Sequence, residues 1–255
     1  MRHLCSVMGL CWALYLAPAH AIVNIEEQRT DGERQGFGGS LQAAVDGALG
    51  NTDKVGLNIG THLRWRRGET ADILLLDYAY GQSNQVRDTN RAFIHARHMI
   101  TLRERRTLEM FAQLEHDEFT RLQLRALLGA GVRLGLKETA RNRIDLGLGA
   151  MYVKETLDDV TGLTDGGTEY FWRLNSYLNW QATLNDNVRF VSTTYYQPVI
   201  DDPADFRVLE DADLKIKLAT DLDLKLSLEV AHDSRPPQTV KRTDVRYHTG
   251  VELRF

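Results

Sequence analysis

Cysteine is almost missing from this 255-residue sequence: Cys5 and Cys11 are the only two, and both precede residue 12. Everything downstream therefore lacks a disulfide framework, a thiolate metal site and a cysteine nucleophile. Proline is nearly as scarce, occurring after Pro18 only as Pro198, Pro203, Pro236 and Pro237. Past residue 21 no apolar run approaches the roughly eighteen residues of a membrane-crossing helix, which excludes a helical membrane protein. A charge excess is missing too. Lys+Arg 31 against Asp+Glu 35 gives a net charge of −4 with no basic block, so there is no footprint for nucleic acid. Gly-rich phosphate loops, Gly-x-Ser-x-Gly and His-Glu-x-x-His are all absent, and neither a cofactor nor a metal is expected.

What is present begins with a secretory leader over residues 1–21. Arg2 and His3 supply the charged start, Leu4 to Leu16 the apolar run, and Ala19 and Ala21 the small residues before cleavage. Neither cysteine is placed as a lipoprotein signal requires. Loss of Arg2 leaves 30 Lys+Arg against 35 Asp+Glu, a formal charge of −5. Residues 22–35 read as a polar lead-in, and residues 36–255 as one domain with no low-complexity divider.

That domain alternates. In the closing stretch, Val245, Tyr247, Thr249, Val251, Leu253 and Phe255 share one face, while Asp244, Arg246, His248, Gly250, Glu252 and Arg254 share the other. Twelve residues of strict alternation exceed the usual soluble strand and suit a tilted membrane-spanning one. About twelve such segments follow one another from Phe37. The first places Phe37, Leu41, Ala43, Val45 and Leu49 outward, and Gly50–Asp53 turns the chain. The second places Val55, Leu57, Ile59, Thr61, Leu63 and Trp65 outward. The rest begin near Ala71, Ala92, Thr107, Leu122, Ile144, Tyr170, Val188, Val208, Leu222 and Asp244. The sixth puts Leu122, Leu124 and Leu128 outward against Gln123, Arg125 and Arg133. The pattern predicts an all-β fold, an antiparallel transmembrane β-barrel of about 12 strands.

Loop lengths agree. The long connections are expected at Gln82–Arg91, Lys154–Glu169, Pro198–Arg207 and Asp233–Arg242, alternating with short turns as in outer-membrane barrels with both termini in the periplasm. The prolines fall at or beyond strand ends. Outward aromatics gather in two belts, Tyr78, Tyr80, Tyr152, Tyr170, Trp172 and Tyr196 at one end, Phe37, Trp65, Trp180 and Phe255 at the other. A soluble β-sandwich would account for the alternation but not for the strand lengths, leader, loop parity and belts together. Two features break the pattern: His98 falls on the lipid face at mid-strand, and Ile73–Leu76 blurs the third strand. A bulge or register change would repair either.

Gly50-Asn-Thr-Asp53, Glu115-His-Asp-Glu-Phe119 leading into Arg121-Leu122, Gly129-Ala-Gly-Val-Arg-Leu134, Leu146-Gly-Leu-Gly149 and the strand ending at Phe255 together resemble domain-of-unknown-function family 481, the salt-induced outer membrane proteins. The resemblance spans nearly the whole chain after the leader. It implies an outer-membrane barrel of Gram-negative type, and carries over neither an activity nor catalytic residues.

Candidate functional residues lie mainly on the inward face, which carries both signs: Lys54, Arg64, Arg97, Glu109, Glu115, Arg125, Arg133, Arg143, Asp145, Arg173, Arg189, Asp213, Lys215, Lys217, Lys225, Glu229, Arg246, Glu252 and Arg254. A twelve-stranded lumen lies between a filled eight-stranded barrel and an open sixteen-stranded pore. Two readings follow: a salt-bridged, filled lumen in a structural or stress-related envelope protein, or a narrow polar channel for small solutes. The rival class is an outer-membrane hydrolase of lipid or peptide, with His116-Asp117 or His232-Asp233-Ser234 at the outer strand ends. Neighbours on a strand point to opposite faces, which weighs against it. Asp158-Asp159, Asp165-Gly-Gly167 and Asp201–Asp205 form acidic loops that could hold divalent cations beside lipopolysaccharide, though without a Ca²⁺-loop spacing. The expected partners are outer-membrane lipid, lipopolysaccharide and the barrel assembly machinery, around a monomer. Phe255 belongs to the closing strand expected to pair with Phe37–Leu49. Its deletion is expected to impair outer-membrane assembly, and normal insertion of the truncated chain, read by cell fractionation, would refute this.

Overall fold

Alternation of apolar and polar residues becomes strand structure because successive side chains leave a pleated backbone on opposite faces. In the computed structural model, which describes residues 35–49, 53–103, 105–219 and 222–253, twelve strands form one antiparallel sheet in sequence order. They are β1 (Gly36–Ala48), β2 (Lys54–Arg67), β3 (Thr70–Ser83), β4 (Val86–Arg103), β5 (Arg106–Asp117), β6 (Leu122–Glu138), β7 (Asn142–Leu157), β8 (Gly167–Asn185), β9 (Val188–Pro198), β10 (Phe206–Ala219), β11 (Leu222–Asp233) and β12 (Thr243–Leu253). A 3-10 turn, Glu118–Thr120, separates β5 from β6. Every strand is paired with its sequence neighbour, so the ladders of β2 to β11 are satisfied on both edges within the sheet, as a membrane requires. No helix among the described residues is long and apolar enough to cross a membrane.

The sheet curls into a transmembrane β-barrel. Arg91 of β4 interacts electrostatically with Glu229 of β11 and Arg246 of β12, near the far end of the ladder. Tyr177 of β8 reaches Glu109 of β5 at 3.0 Å. The described residues record no ladder between β12 and β1, and the leader, Gly50–Thr52, Arg254 and Phe255 lie outside them. The seam and the role of Phe255 therefore stand as expectations.

Outside, the barrel is apolar. Phe37, Leu41, Trp65, Leu114, Leu128, Leu148 and Leu178 are all exposed. The two aromatic belts are present: Tyr152 lies against Trp172 (5.2 Å between centroids) and Tyr170 (6.3 Å) at one end, and Trp180 against Phe190 (5.4 Å) at the other. The end bearing the first belt also carries the long connections and is called the loop end; the opposite end is the turn end.

Two expectations need correction, and two irregularities of the pattern resolve without a bulge. The third connection is not long: β3 and β4 join through Asn84-Gln85, both at positive φ (50° and 64°), a two-residue turn whose twist matches a hairpin. The stretch Val86–Arg91 is strand. Ile73 and Leu75 need no bulge: they point inward and are buried with Ala71 and Met99, while Leu74 and Leu76 face lipid. His98 does face outward without a register change, because Asp72 sits directly opposite on β3 and its Oδ1 lies 2.6 Å from His98 Nδ1. Pairing lowers the cost of two polar groups on that surface. Finally, Leu122 is buried and Gln123 exposed, the reverse of expectation, because the register slips between Leu122 and Leu124 and shifts the face by one residue.

Glycines in the two glycine-rich motifs flatten the inner wall. A Cβ on Gly129 would lie 2.3 Å from the Phe111 ring, and one on Gly147 would lie 2.0 Å from Tyr177. Both rings therefore lie flush against bare backbone, which places Tyr177 to reach across to Glu109.

Candidate functional site

The inward face carries the chemistry, and at the loop end it forms one chain of alternating charges. Glu115 Oε2 accepts from Arg125 Nη1 at 3.0 Å, and Arg125 Nε donates to Glu155 Oε2 at 2.8 Å. Arg207 Nη2 donates to Glu155 at 3.1–3.2 Å, and Arg207 Nε to Asp233 Oδ2 at 2.7 Å. Five strands, β5, β6, β7, β10 and β11, are thus tied through side chains across the lumen. Glu155 and Arg207 are the centre of this chain, and both fall in stretches expected to be long connections. They occupy the last residues of β7 and the first of β10, where the outer face no longer has to be apolar and the alternation that marks a strand is lost from the sequence although the inner face stays buried.

Deeper in, the chain continues through neutral groups. Arg97 Nη1 donates to Glu109 Oε2 at 3.0 Å and Arg97 Nε faces His95 Nε2 at 3.3 Å. A guanidinium can only donate, so Nε2 accepts and the proton sits on Nδ1, 3.2 Å from Gln113 Oε1. Gln113 Nε2 then reaches Glu115 at 3.3 Å. His95 is thereby fixed as a neutral relay between two charged clusters. At the turn end Arg133 and Arg143 share Asp145 Oδ2 at 2.7 and 3.0 Å, and Arg189 donates to Gln181.

Of the expected inward charges, Arg97, Glu109, Glu115, Arg125, Arg133, Asp145 and Arg173 are buried in these contacts. Lys54, Arg64, Asp213, Lys215, Lys225, Glu229 and Arg246 are only half-buried, and Lys217 is exposed at the turn end. Lys225 approaches Asp213 at 3.6 Å and Arg246 donates to Glu229 at 3.0 Å. The side chain of Glu252 and all of Arg254 lie outside the described residues. Among the described residues the lumen is therefore lopsided: the charged side chains of β4–β8 are the more deeply buried, and those of β2, the turn-end half of β10, β11 and β12 mostly less so.

A cap covers the loop end. Arg121, left-handed at φ 59°, donates through Nη1 to Asp165 Oδ1 (2.8 Å) and Gln238 O (3.1 Å), and through Nη2 to Asp158 O (3.0 Å). Asp165 Oδ2 also accepts the Gln238 backbone N–H at 2.5 Å. Asp202 pairs with Arg235 at 2.6 Å, and Asp205 with Arg173 at 2.7 Å. Asp202, Asp205 and Asp165 of the acidic loops thus fasten the loops to one another and to the wall. Among the described residues no three His, Cys, Asp or Glu side chains come together as a cation site.

The two histidine–carboxylate neighbours do not converge. His116 Nδ1 lies 2.9 Å from Gln123 O on the outer side, while Asp117 turns inward and caps the 3-10 turn through Phe119 N and Thr120 N. His232 meets Thr243 Oγ1 at 2.8 Å, Asp233 holds Arg207, and Ser234 Oγ is bonded to Phe206 N and Ala204 O.

The family described as protein of unknown function, DUF481, matches residues 41–255. No curated protein matches the chain. Among solved structures it is similar to the NanC porin (12% identity, TM-score 0.49, covering 85% of this chain and 100% of that one) and the KdgM porin (15%, 0.43, 86% and 99%). A bacterial polysaccharide outer membrane secretin is similar at 11% identity and TM-score 0.46, covering 84% of this chain and 89% of that one. The twelve antiparallel strands in sequence order are the arrangement of an up-and-down β-barrel.

Proposed function

The chain belongs to the DUF481 family, and we propose that it serves as a narrow polar passage for small solutes through the outer membrane. The observation that carries this reading is the lopsided lumen. A barrel kept only for structure gains most from a lumen filled evenly, because any lining group left loosely packed forgoes dispersion contacts. Here the β4–β8 wall is locked by ion pairs. The opposite wall keeps Asn58, His62, Lys225 and Glu229 half-buried, a strip of polar groups able to accompany a hydrated solute. The Glu115–Asp233 chain and the cap narrow the loop end, which fits small solutes and argues against oligomers.

In this reading the leader is cleaved on export, the loop end faces outward into lipopolysaccharide, the turn end faces the periplasm, and assembly uses the barrel insertion machinery. The protein works as a monomer and without catalysis, since His232 and Asp233 leave their strand on opposite faces. In planar bilayers the purified barrel is expected to give small unitary current steps. Silence at every voltage would replace this reading by that of a purely structural envelope barrel.

A further inference from the structure

Under the cap lies a cavity of about 90 Å³, open on one side, between β5, β6, β10, β11 and the segment leading into β12. Its lining is of three kinds. The floor is charged, with Glu115, Arg125, Arg207 and Asp233. The walls are aliphatic, including Leu122, Leu157, Leu209 and the Pro236-Pro237 pair. The rim carries Lys241, Arg242 and Asp244, all exposed, with two cations to one carboxylate.

The floor holds one unsatisfied group. Glu115 is 2% exposed, its Oε2 takes both Arg125 and Gln113, and its Oε1 accepts no hydrogen bond. A buried carboxylate oxygen without a donor costs about 1–3 kcal/mol or more. A donor arriving in the cavity would remove that penalty.

We propose that this cavity binds a small zwitterion of the α-amino-acid class. Its ammonium would donate to Glu115, its carboxylate would face Lys241 and Arg242, and its short side chain would lie against the leucines and prolines. An ammonium fits the floor better than a hydroxyl, because it brings charge to a carboxylate already flanked by only one arginine. A sugar fits poorly: it needs a flat aromatic platform and a ring of polar partners, and no aromatic side chain other than His232 lines this cavity.

As the site where such a solute first meets the passage, this inference rests on the reading above; as a binding site it can be measured alone. Isothermal titration of the purified full-length barrel with L-valine tests it, with isobutylamine, 3-methylbutanoate and glucose as comparators. Valine is expected to bind. Each single-charge analogue is expected to bind about tenfold more weakly, the loss typical of one charge-assisted contact, and glucose not at all. Glu115→Gln and the doubly substituted Lys241→Ala/Arg242→Ala should each weaken valine about tenfold. The rim pair is exposed, so its variant keeps the test decisive should the Glu115 variant fail to fold. No valine binding, binding of glucose or 3-methylbutanoate equal to that of valine, or full binding by the rim variant would overturn the site. Bilayer recordings of the same preparations separate the two readings. Valine binding by a silent barrel keeps the site and retires the passage; current steps without valine binding do the reverse.

Discussion

Replacing Glu155 with alanine is expected to destabilise the barrel by about 3–5 kcal/mol, the range for removing one member of a buried charge pair. Glu155 is the common acceptor of Arg125 and Arg207, both buried in the lumen. Its loss strands two guanidinium groups that approach the same point, and their mutual repulsion adds to the desolvation of each. Arg207 keeps Asp233 and Arg125 keeps Glu115, so the barrel should still form. Urea unfolding in lipid vesicles, followed by the fluorescence of Trp65, Trp172 and Trp180, measures the change. Adding Arg207→Met to the Glu155→Ala chain should recover part of the loss, because it removes one of the stranded cations. A change below about 1 kcal/mol would mean that the chain of charges is hydrated and screened like a surface pair.

How the same residues escape a reading of the sequence follows from the physics of the two environments. Within the hydrocarbon band one face must be apolar, so alternation is enforced, and the strands around Val55–Trp65 and Leu108–Leu114 are plain from sequence. Beyond the band the outer face no longer has to be apolar and the constraint vanishes. Val86–Arg91, Lys154–Leu157 and Phe206–Arg207 then look like loop although they are strand. Glu155 and Arg207 belong to those extensions. The partners of a lumen charge are also hidden. Glu155 and Arg207 are 52 residues apart and their strands are not neighbours in the sheet, so the pairing depends on the curl of the sheet, which alternation does not encode. Inward apolar residues such as Ile73 and Leu75 mislead in the opposite sense, because a filled part of the lumen resembles the lipid face.

Releasing the cap is the second large effect expected, this time on conductance. Arg121 alone joins three segments: the β5–β6 connection it sits in, the 158–166 loop through Asp158 and Asp165, and the β11–β12 loop through Gln238. Arg121→Ala should free the loops at the mouth and raise the unitary conductance severalfold, with little loss of barrel stability because the strands are untouched. Acid should mimic it. The Gln238 backbone N–H, followed by the Arg121 guanidinium, holds the Asp165 carboxyl below the usual carboxylate range. The carboxylate is therefore favoured in the closed cap, so its contribution is complete above the ordinary carboxylate pKa of about 4 and is lost as pH falls through the lowered value. Acidifying only the loop side of a bilayer should open the cap, and Asp165→Asn should open it at neutral pH and abolish that response. Gln238 can still offer its N–H to an asparagine, so the asparagine variant isolates the charge from the hydrogen bond. Equal conductance in the parent, Arg121→Ala and Asp165→Asn barrels would place the narrowest point lower, at the Glu115–Arg125–Glu155–Arg207 chain. The conductance of Glu155→Ala would then rise in place of theirs, so the same recordings locate the constriction.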